Sequence, residues 1–107
     1  MEIKTSTQGQ ATVLAVTGSM DAITVAEFDA EWKKILEGGA KRLVVDMSGL
    51  TYISSAGLRG ILMLAKSAKA SQADLKFAGM QSMVADMFRL SGFYSILSCC
   101  ERVEDAL

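Results

Sequence analysis

Two adjacent serines offer the clearest chemistry in the chain. Ser54 and Ser55 directly precede a stretch from Leu58 to Ala65 in which apolar residues recur at helical spacing. A serine before a helix can cap it, because its hydroxyl accepts a hydrogen bond from a free backbone N–H of the first turn. The start of a helix also suits a phosphate, since it presents unpaired N–H groups and the positive end of the helix dipole. The position therefore fits two interpretations, a structural cap and a phosphorylation site.

The sequence lacks histidine and the motifs of several enzyme classes. The 107 residues include no histidine, which excludes Ser-His-Asp and Cys-His triads and histidine metal ligands. No GxSxG elbow or P-loop is present either. The two cysteines, Cys99 and Cys100, are adjacent and lack the spacing of a CxxC redox or zinc site, which favours a reducing compartment. We expect a protein that is not an enzyme and that holds no metal or cofactor.

The charge and hydropathy of the chain narrow the choice of partners. Eleven basic residues oppose 12 acidic ones, so a net charge of −1 provides no field to attract nucleic acid. No apolar run approaches the ~18 residues of a membrane span, and the N-terminus has no signal-peptide pattern. The sequence predicts a cytoplasmic protein that neither binds nucleic acid nor inserts directly into a membrane.

Hydrophobic periodicity predicts the elements that position the serines. In chain order they are a hairpin turning at residues 7–10, a strand at 11–17, a helix at 25–36, a strand at 42–47, a loop at 48–55, a helix at 58–65, a strand at 73–78, a helix at 80–88, a strand at 94–99 and a short terminal helix. Alternating strands and helices indicate right-handed βαβ units. The expected fold is α/β, with one mixed sheet, the opening hairpin as its antiparallel edge and about four helices, in a single domain over residues 1–107.

Several residues have a predicted structural role. Thr24 and the glutamate three residues later match a capping box at the start of the first helix. Phe28, Trp32 and the methionines of the third helix have the spacing of core residues. Asp46 lies near the end of the predicted strand at 42–47, where an Asx-type hydrogen bond toward residues 48–49 would turn the chain.

A partner-binding surface is expected around the serines. With Leu58, Ile61, Leu62 and Ala65 facing inward, the opposite side of the helix points outward at ~100° per residue, and glycine keeps its first turn open to a partner. Asp21 follows a strand end that leads into a helix, as Ser55 does, so both should lie at one end of the sheet. The residues expected on this surface are Asp21, Ser54, Ser55, Gly57, Arg59, Gly60 and Met63.

Arg59 has two interpretations. It lies four residues after Ser55, and helical side chains lean toward the N-terminus, so its guanidinium could reach a phosphate on Ser55. The alternative is an ordinary solvated arginine.

The segment from Val45 to Leu62 resembles the signature of the STAS domain of bacterial anti-sigma factor antagonists. In that family a strand, an Asp-Leu-Ser-Gly-like turn and an Asp-Ser-Ser/Thr-Gly-Leu motif lead into the second helix. Three further segments are similar to family motifs in the same order, namely Gly18–Asp21, Val84–Phe93 and Glu104–Leu107. The resemblance covers nearly the whole chain, and it implies a STAS-like fold.

The resemblance also implies a function and a modified residue. The family's phosphorylated serine falls on Ser55, with Ser54 as the alternative acceptor, and Ser54 stands where the family has an acidic residue. An unphosphorylated antagonist binds an anti-sigma factor that is also a serine kinase, which frees a sigma factor. Phosphorylation breaks this pair, and a serine phosphatase restores it. The alternative function is that of an unphosphorylated STAS subunit of a transport ATPase or of a sensory scaffold complex.

Overall fold

The computed structural model describes residues 1–107 and contains five strands and four α-helices. The strands are β1 (Glu2–Gln8), β2 (Ala11–Met20), β3 (Arg42–Ile53), β4 (Asp74–Ala78) and β5 (Cys99–Cys100). The helices are α1 (Val25–Glu37), α2 (Ser55–Ala70), α3 (Ser82–Leu90) and α4 (Val103–Ala106), with a 3-10 helix at Phe93–Ser95. None of the helices is both long and apolar enough to cross a membrane.

The five strands form one mixed sheet in the spatial order β1-β2-β3-β4-β5. β1 pairs antiparallel with β2, and every other neighbouring pair is parallel. Gly9 makes the two-residue hairpin turn possible, because its φ of +62° lies in the left-handed region that favours glycine. The predicted α/β fold with an antiparallel edge hairpin is confirmed.

The main core lies between the sheet and helices α1, α2 and α3. Phe28 and Trp32 are buried as predicted, with 0% and 2% of their surface exposed. Met80 and Met87, the methionines with the predicted helical spacing, pack against this core, whereas Met83 of α3 is 37% exposed. The largest fully buried side chains come from both layers and include Leu14, Met20, Phe28, Met47, Ile61, Leu64, Phe77 and Phe88.

The opposite face of the sheet carries a smaller apolar cluster covered by α4. Ala106 of α4 is buried in this cluster with four strand residues, Ala11, Val13, Val44 and Ala78. The Arg42 guanidinium donates a hydrogen bond of 2.9 Å to the carbonyl of Leu107, which fastens the end of the chain to the start of β3. The short terminal helix is thus confirmed, and it closes part of the second face.

β3 is longer than predicted. The expected loop at residues 48–55 is wrong, because the strand continues to Ile53 and stays paired with β2, with Met20 opposite Ile53. Two register shifts in this pairing break the regular alternation of buried and exposed residues. Within the strand, Asp46 Oδ1 accepts hydrogen bonds from the backbone N–H and the hydroxyl of Ser48, at 3.0 and 2.7 Å. The Asx-type bond is therefore confirmed, but the predicted turn is wrong because β3 continues past it.

The predicted strand at residues 94–99 is also wrong in most of its length. Phe93 begins a 3-10 helix and packs its ring on Phe88, with 5.2 Å between ring centroids. Only Cys99 and Cys100 pair with β4. Burial raises the pKa of the Cys99 thiol to about 11, so this thiol is protonated at neutral pH.

Candidate functional site

The site is built where β2 and β3 end. Met20 and Ile53, the last residues of the two strands, are paired across the sheet, and the Ser54 N–H donates a hydrogen bond of 2.9 Å to the Met20 carbonyl. The turn that leads into α1 and the start of α2 therefore adjoin each other. The expectation that Asp21 and Ser55 share one end of the sheet is confirmed.

The two serines differ in backbone position. Ser54 is the N-cap of α2, with an extended backbone (φ −94°, ψ 176°), and its Oγ accepts a hydrogen bond of 3.3 Å from the Gly57 N–H. Ser55 is the first residue of the helix and is exposed to solvent. The cap is thus Ser54, and the Ser55 hydroxyl lies at the open surface beside the free N–H groups of the first turn. Such a hydroxyl is placed to accept a phosphoryl group.

Gly57 is buried rather than open to a partner. A Cβ added at this position would lie 2.7 Å from Ile53 Cγ1 and 2.7 Å from the Met20 carbonyl oxygen. The expectation that Gly57 leaves the first turn accessible is therefore wrong. Glycine is needed here because the first turn of α2 lies directly on the ends of β2 and β3.

Gly60 is buried as well, so its predicted outward position is wrong. A Cβ at this residue would lie 2.6 Å from Val25 Cγ2 and 3.3 Å from Asp29 Oδ1, both in α1. The sequence of α2 alone gives no information on where α1 crosses it, and α1 covers this part of the supposedly exposed face. Gly60 thus belongs to the contact between the two helices.

Arg59 and Met63 lie on the exposed side of α2, as expected. Met63 is 48% exposed, and Arg59 is also exposed. None of the four ion pairs in the chain involves Arg59. Its guanidinium is therefore available one helical turn after Ser55.

Asp21 organises the turn between β2 and α1. Its Oδ1 accepts hydrogen bonds from the backbone N–H groups of Ile23 and Thr24, at 2.9 and 3.0 Å. These bonds, that from Thr24 first, hold the pKa of the Asp21 carboxyl below its usual value. The carboxylate is thus the form that this turn binds.

The predicted capping box at Thr24 is wrong. The Thr24 hydroxyl donates to the Ser19 carbonyl at 2.8 Å and accepts from the Asp21 N–H at 2.9 Å, and it makes no cap hydrogen bond to α1. Thr24 also has a helical backbone, φ −85° and ψ −20°, rather than the extended conformation of a capping residue. The threonine closes the turn that precedes the helix, together with Asp21.

An exposed residue in this turn is not predicted from the sequence. Ile23 leaves 86% of its surface in solvent, the largest fraction among the exposed large apolar residues of the chain. The sequence feature that could have identified Ile23 is local: a β-branched apolar residue stands in a polar turn between Asp21 and Thr24, outside any helical or strand periodicity. Periodicity identifies core residues and says nothing about an isolated apolar residue in a turn.

The other features of the structure do not point to a small-molecule or metal site here. The largest cavity, about 690 Å³, lies at the opposite end of α1 and is lined by residues such as Ile3, Thr5 and Gly39. No group of three or more His, Cys, Asp or Glu side chains is arranged to hold a metal ion.

Comparisons of the sequence with known proteins match a STAS-domain family model and a relative named as an anti-sigma factor antagonist. A family model described as "Mlab, STAS domain" matches residues 3–98. BtrV of Bordetella bronchiseptica, which is named as an anti-sigma factor antagonist, is 32% identical over 94 residues, covering 88% of this chain and 81% of BtrV.

Solved structures share the fold at low identity. An anti-sigma factor antagonist from Thermotoga maritima superposes with a TM-score of 0.91 and 15% identity, over 97% of this chain and 90% of that one. SpoIIAA of Bacillus is similar in its unphosphorylated form (TM-score 0.80, 16% identity, 97% and 92% coverage) and in its phosphorylated form (0.74, 15%, 97% and 96%). The arrangement of strands and helices described above is therefore one that these proteins have in common.

Proposed function

Because this chain belongs to the STAS-domain family of anti-sigma factor antagonists, we propose that it binds an anti-sigma factor and that phosphorylation of Ser55 switches this binding off. The observation that carries the proposal is the division between the two serines. Ser54 caps α2, whereas the exposed Ser55 hydroxyl stands at the first position of the helix. A kinase can therefore modify Ser55 without removing the cap.

The helix start accommodates the product of that reaction. A phosphate on Ser55 would meet the free N–H groups and the positive end of the α2 dipole, both of which stabilise an anion. The surface presented to the partner nevertheless gains about −1.5 to −2 charges at pH 7. Burying these charges against an apolar or acidic partner surface would cost several kcal/mol, and each 1.4 kcal/mol weakens binding about tenfold.

The proposed partners supply the chemistry that this chain lacks. The anti-sigma factor acts as a serine kinase: the Ser55 oxygen attacks the γ-phosphorus of ATP, ADP leaves, and the hydroxyl proton passes to a base of the kinase. A serine phosphatase reverses the modification, because water cleaves the phosphoester to release inorganic phosphate and restore the hydroxyl. The cycle belongs to the cytoplasm, where ATP and sigma factors meet.

The residues around Ser55 that form the proposed contact surface are Asp21 and Ser54, which are half-buried, and Arg59 and Met63, which are exposed. Gly57 and Gly60 shape this surface by letting α2 lie close to the sheet and to α1. Arg59 has a second role in the proposal, in which its free guanidinium binds the phosphate on Ser55. Replacing Arg59 by alanine should then change the rate of dephosphorylation or the re-binding of the partner, and no change in either would remove this role.

The test is phosphorylation and binding measured on the same variants. The chain is incubated with ATP and purified anti-sigma factor kinases, and mass spectrometry locates the gain of one phosphate. We expect the phosphate on Ser55, retention of the reaction in Ser54→Ala and its loss in Ser55→Ala. A phosphate on Ser54 alone would overturn the assignment of the acceptor.

Binding needs a control for charge alone. Ser82 offers one, because it is also the exposed first residue of a helix, α3, but lies outside the proposed surface. Ser55→Asp should lose the anti-sigma factor in a pull-down, whereas Ser82→Asp should retain it. If no kinase modifies the chain and Ser55→Asp keeps every partner, the switch is excluded, and the unphosphorylated subunit of a transport ATPase or sensory scaffold becomes the better explanation.

A further inference from the structure

We infer that Ile23 is the apolar anchor of the partner interface and fits a hydrophobic socket on the anti-sigma factor. The inference rests on the proposed function and adds to it the residue that provides apolar contact area. Ile23 is 86% exposed, so nearly the whole side chain is available to a partner. A single exposed apolar residue is ordinary on a protein surface, and the inference therefore depends on how and where this one is held.

The backbone under Ile23 is fixed before any partner arrives. The Ile23 N–H donates to Asp21 Oδ1 at 2.9 Å, and the next N–H, that of Thr24, donates to the same oxygen at 3.0 Å. The Thr24 hydroxyl ties the turn back to the Ser19 carbonyl at 2.8 Å. Because the backbone of this turn is already ordered, binding through the Ile23 side chain costs little backbone entropy. This is the property of a preorganised anchor. The fold gains nothing comparable from the isoleucine, whose side chain points into solvent.

The same turn is joined to the serine site. The Ser54 N–H donates to the carbonyl of Met20, the residue directly before Asp21, at 2.9 Å. The first turn of α2 also packs at Gly57 on that carbonyl. A partner that covers Ser55 therefore lies beside the hydrogen-bonded turn that carries Ile23, and for this reason we assign the anti-sigma factor as the partner of Ile23.

Leu90 provides the matched comparison within the chain. It is 82% exposed, nearly as much as Ile23, but it is the last residue of α3 and has no connection to the Ser55 site. If the exposed apolar residues made only non-specific hydrophobic contacts, substitutions at the two positions would weaken binding equally. An anchor at Ile23 makes them different.

The experiment measures the affinity of each purified anti-sigma factor from the organism of origin for five forms of the full chain by isothermal titration calorimetry. The forms are wild type, Ile23→Ala, Ile23→Val, Leu90→Ala and Ser55→Asp. We expect Ile23→Ala to weaken binding about ten- to hundredfold, Ile23→Val by less than about fivefold and Leu90→Ala by less than about twofold. Circular dichroism melting of the Ile23 variants should match wild type, because the side chain is exposed.

The outcomes separate the anchor from the switch. If Ile23→Ala binds like wild type, or if Ile23→Ala and Leu90→Ala lose affinity equally, the anchor is refuted. The proposed function then stands if Ser55→Asp abolishes binding. If Ile23→Ala weakens binding and Ser55→Asp does not, the anchor stands without the phosphoswitch. If the wild-type chain binds none of the anti-sigma factors, the anchor and the proposed function are both refuted.

Discussion

Ser54 and Ser55 are neighbours of the same type, yet the backbone assigns them different chemistry. Ser54 has an extended conformation, which turns its hydroxyl back toward the Gly57 N–H of α2. Ser55 is already helical, so its side chain leans outward from the first turn and is exposed. The capping function and the proposed phosphorylation thus belong to two consecutive residues.

This separation predicts unequal effects of alanine on stability at the two positions. Ser54→Ala removes the cap and should lower the free energy of unfolding by about 1 kcal/mol, whereas Ser55→Ala should change it by less than about 0.5 kcal/mol. Ser54→Asp should retain wild-type stability, because aspartate is an equally good capping residue. Urea denaturation at constant pH measures all three, with Ser82→Ala in α3 as the control. A larger loss for Ser55→Ala than for Ser54→Ala would contradict the assignment of the cap.

At the scale of the element, α2 occupies its position through two glycines. The contact at Gly57 involves the backbone carbonyl of Met20, which cannot move without shifting β2. The contact at Gly60 involves the side chains of Val25 and Asp29 in α1 instead of strand backbone. Valine is stiff at χ1 in a helix, so relief there needs a small shift of α1. The two sites therefore tolerate an added methyl group differently.

We expect Gly57→Ala to lower the free energy of unfolding by about 1–3 kcal/mol, since the overpacking outweighs the better helix propensity of alanine. Gly60→Ala should cost somewhat less, about 1–2 kcal/mol, because α1 can shift on its side chains more easily than the strand carbonyl of Met20 can move. Urea denaturation of both variants tests the order. Equal or greater stability of Gly57→Ala would show that α2 does not need this close approach to the strand ends.

Some features of the site around α2 can be predicted from the sequence, and others cannot. The position of Ser55 at a helix start, and of Asp21 at the same end of the sheet, follow from local pattern and βαβ topology, and both are found in the structure. The exposed face of α2 does not follow in full, because α1 covers Gly60, and that crossing is a long-range contact. The predicted loop at residues 48–55 is wrong for the same reason, since pairing with β2 extends β3 beyond its apolar run to Ile53.

At the scale of the whole molecule, the fold provides a rigid support for the site. Both faces of the sheet are packed, one by α1, α2 and α3 and the other in part by α4. Ser55 lies outside these cores, on the surface at the strand ends. A phosphate there changes the net charge from −1 to between about −2.5 and −3 without entering a buried region. The proposed switch therefore acts through surface charge and needs no rearrangement of the fold.

Trp32 fluorescence can test whether phosphorylation leaves the fold unchanged. It is the single tryptophan of the chain and is 2% exposed in the core beneath α1, so its fluorescence reports on packing of the whole domain. Phosphorylation of Ser55 should leave its emission unchanged and raise the free energy of unfolding by about 0.3–1 kcal/mol through the dipole of α2. The gain should shrink at 1 M salt, where the Debye length falls to about 3 Å.

Urea denaturation of the phosphorylated and unphosphorylated chains, with Ser82→Asp as a control, measures the gain in stability and its dependence on salt. A red shift of native Trp32 emission, or a loss of more than about 2 kcal/mol on phosphorylation, would mean that the switch works by disrupting the fold, because neither change can arise from an anion held at a helix start.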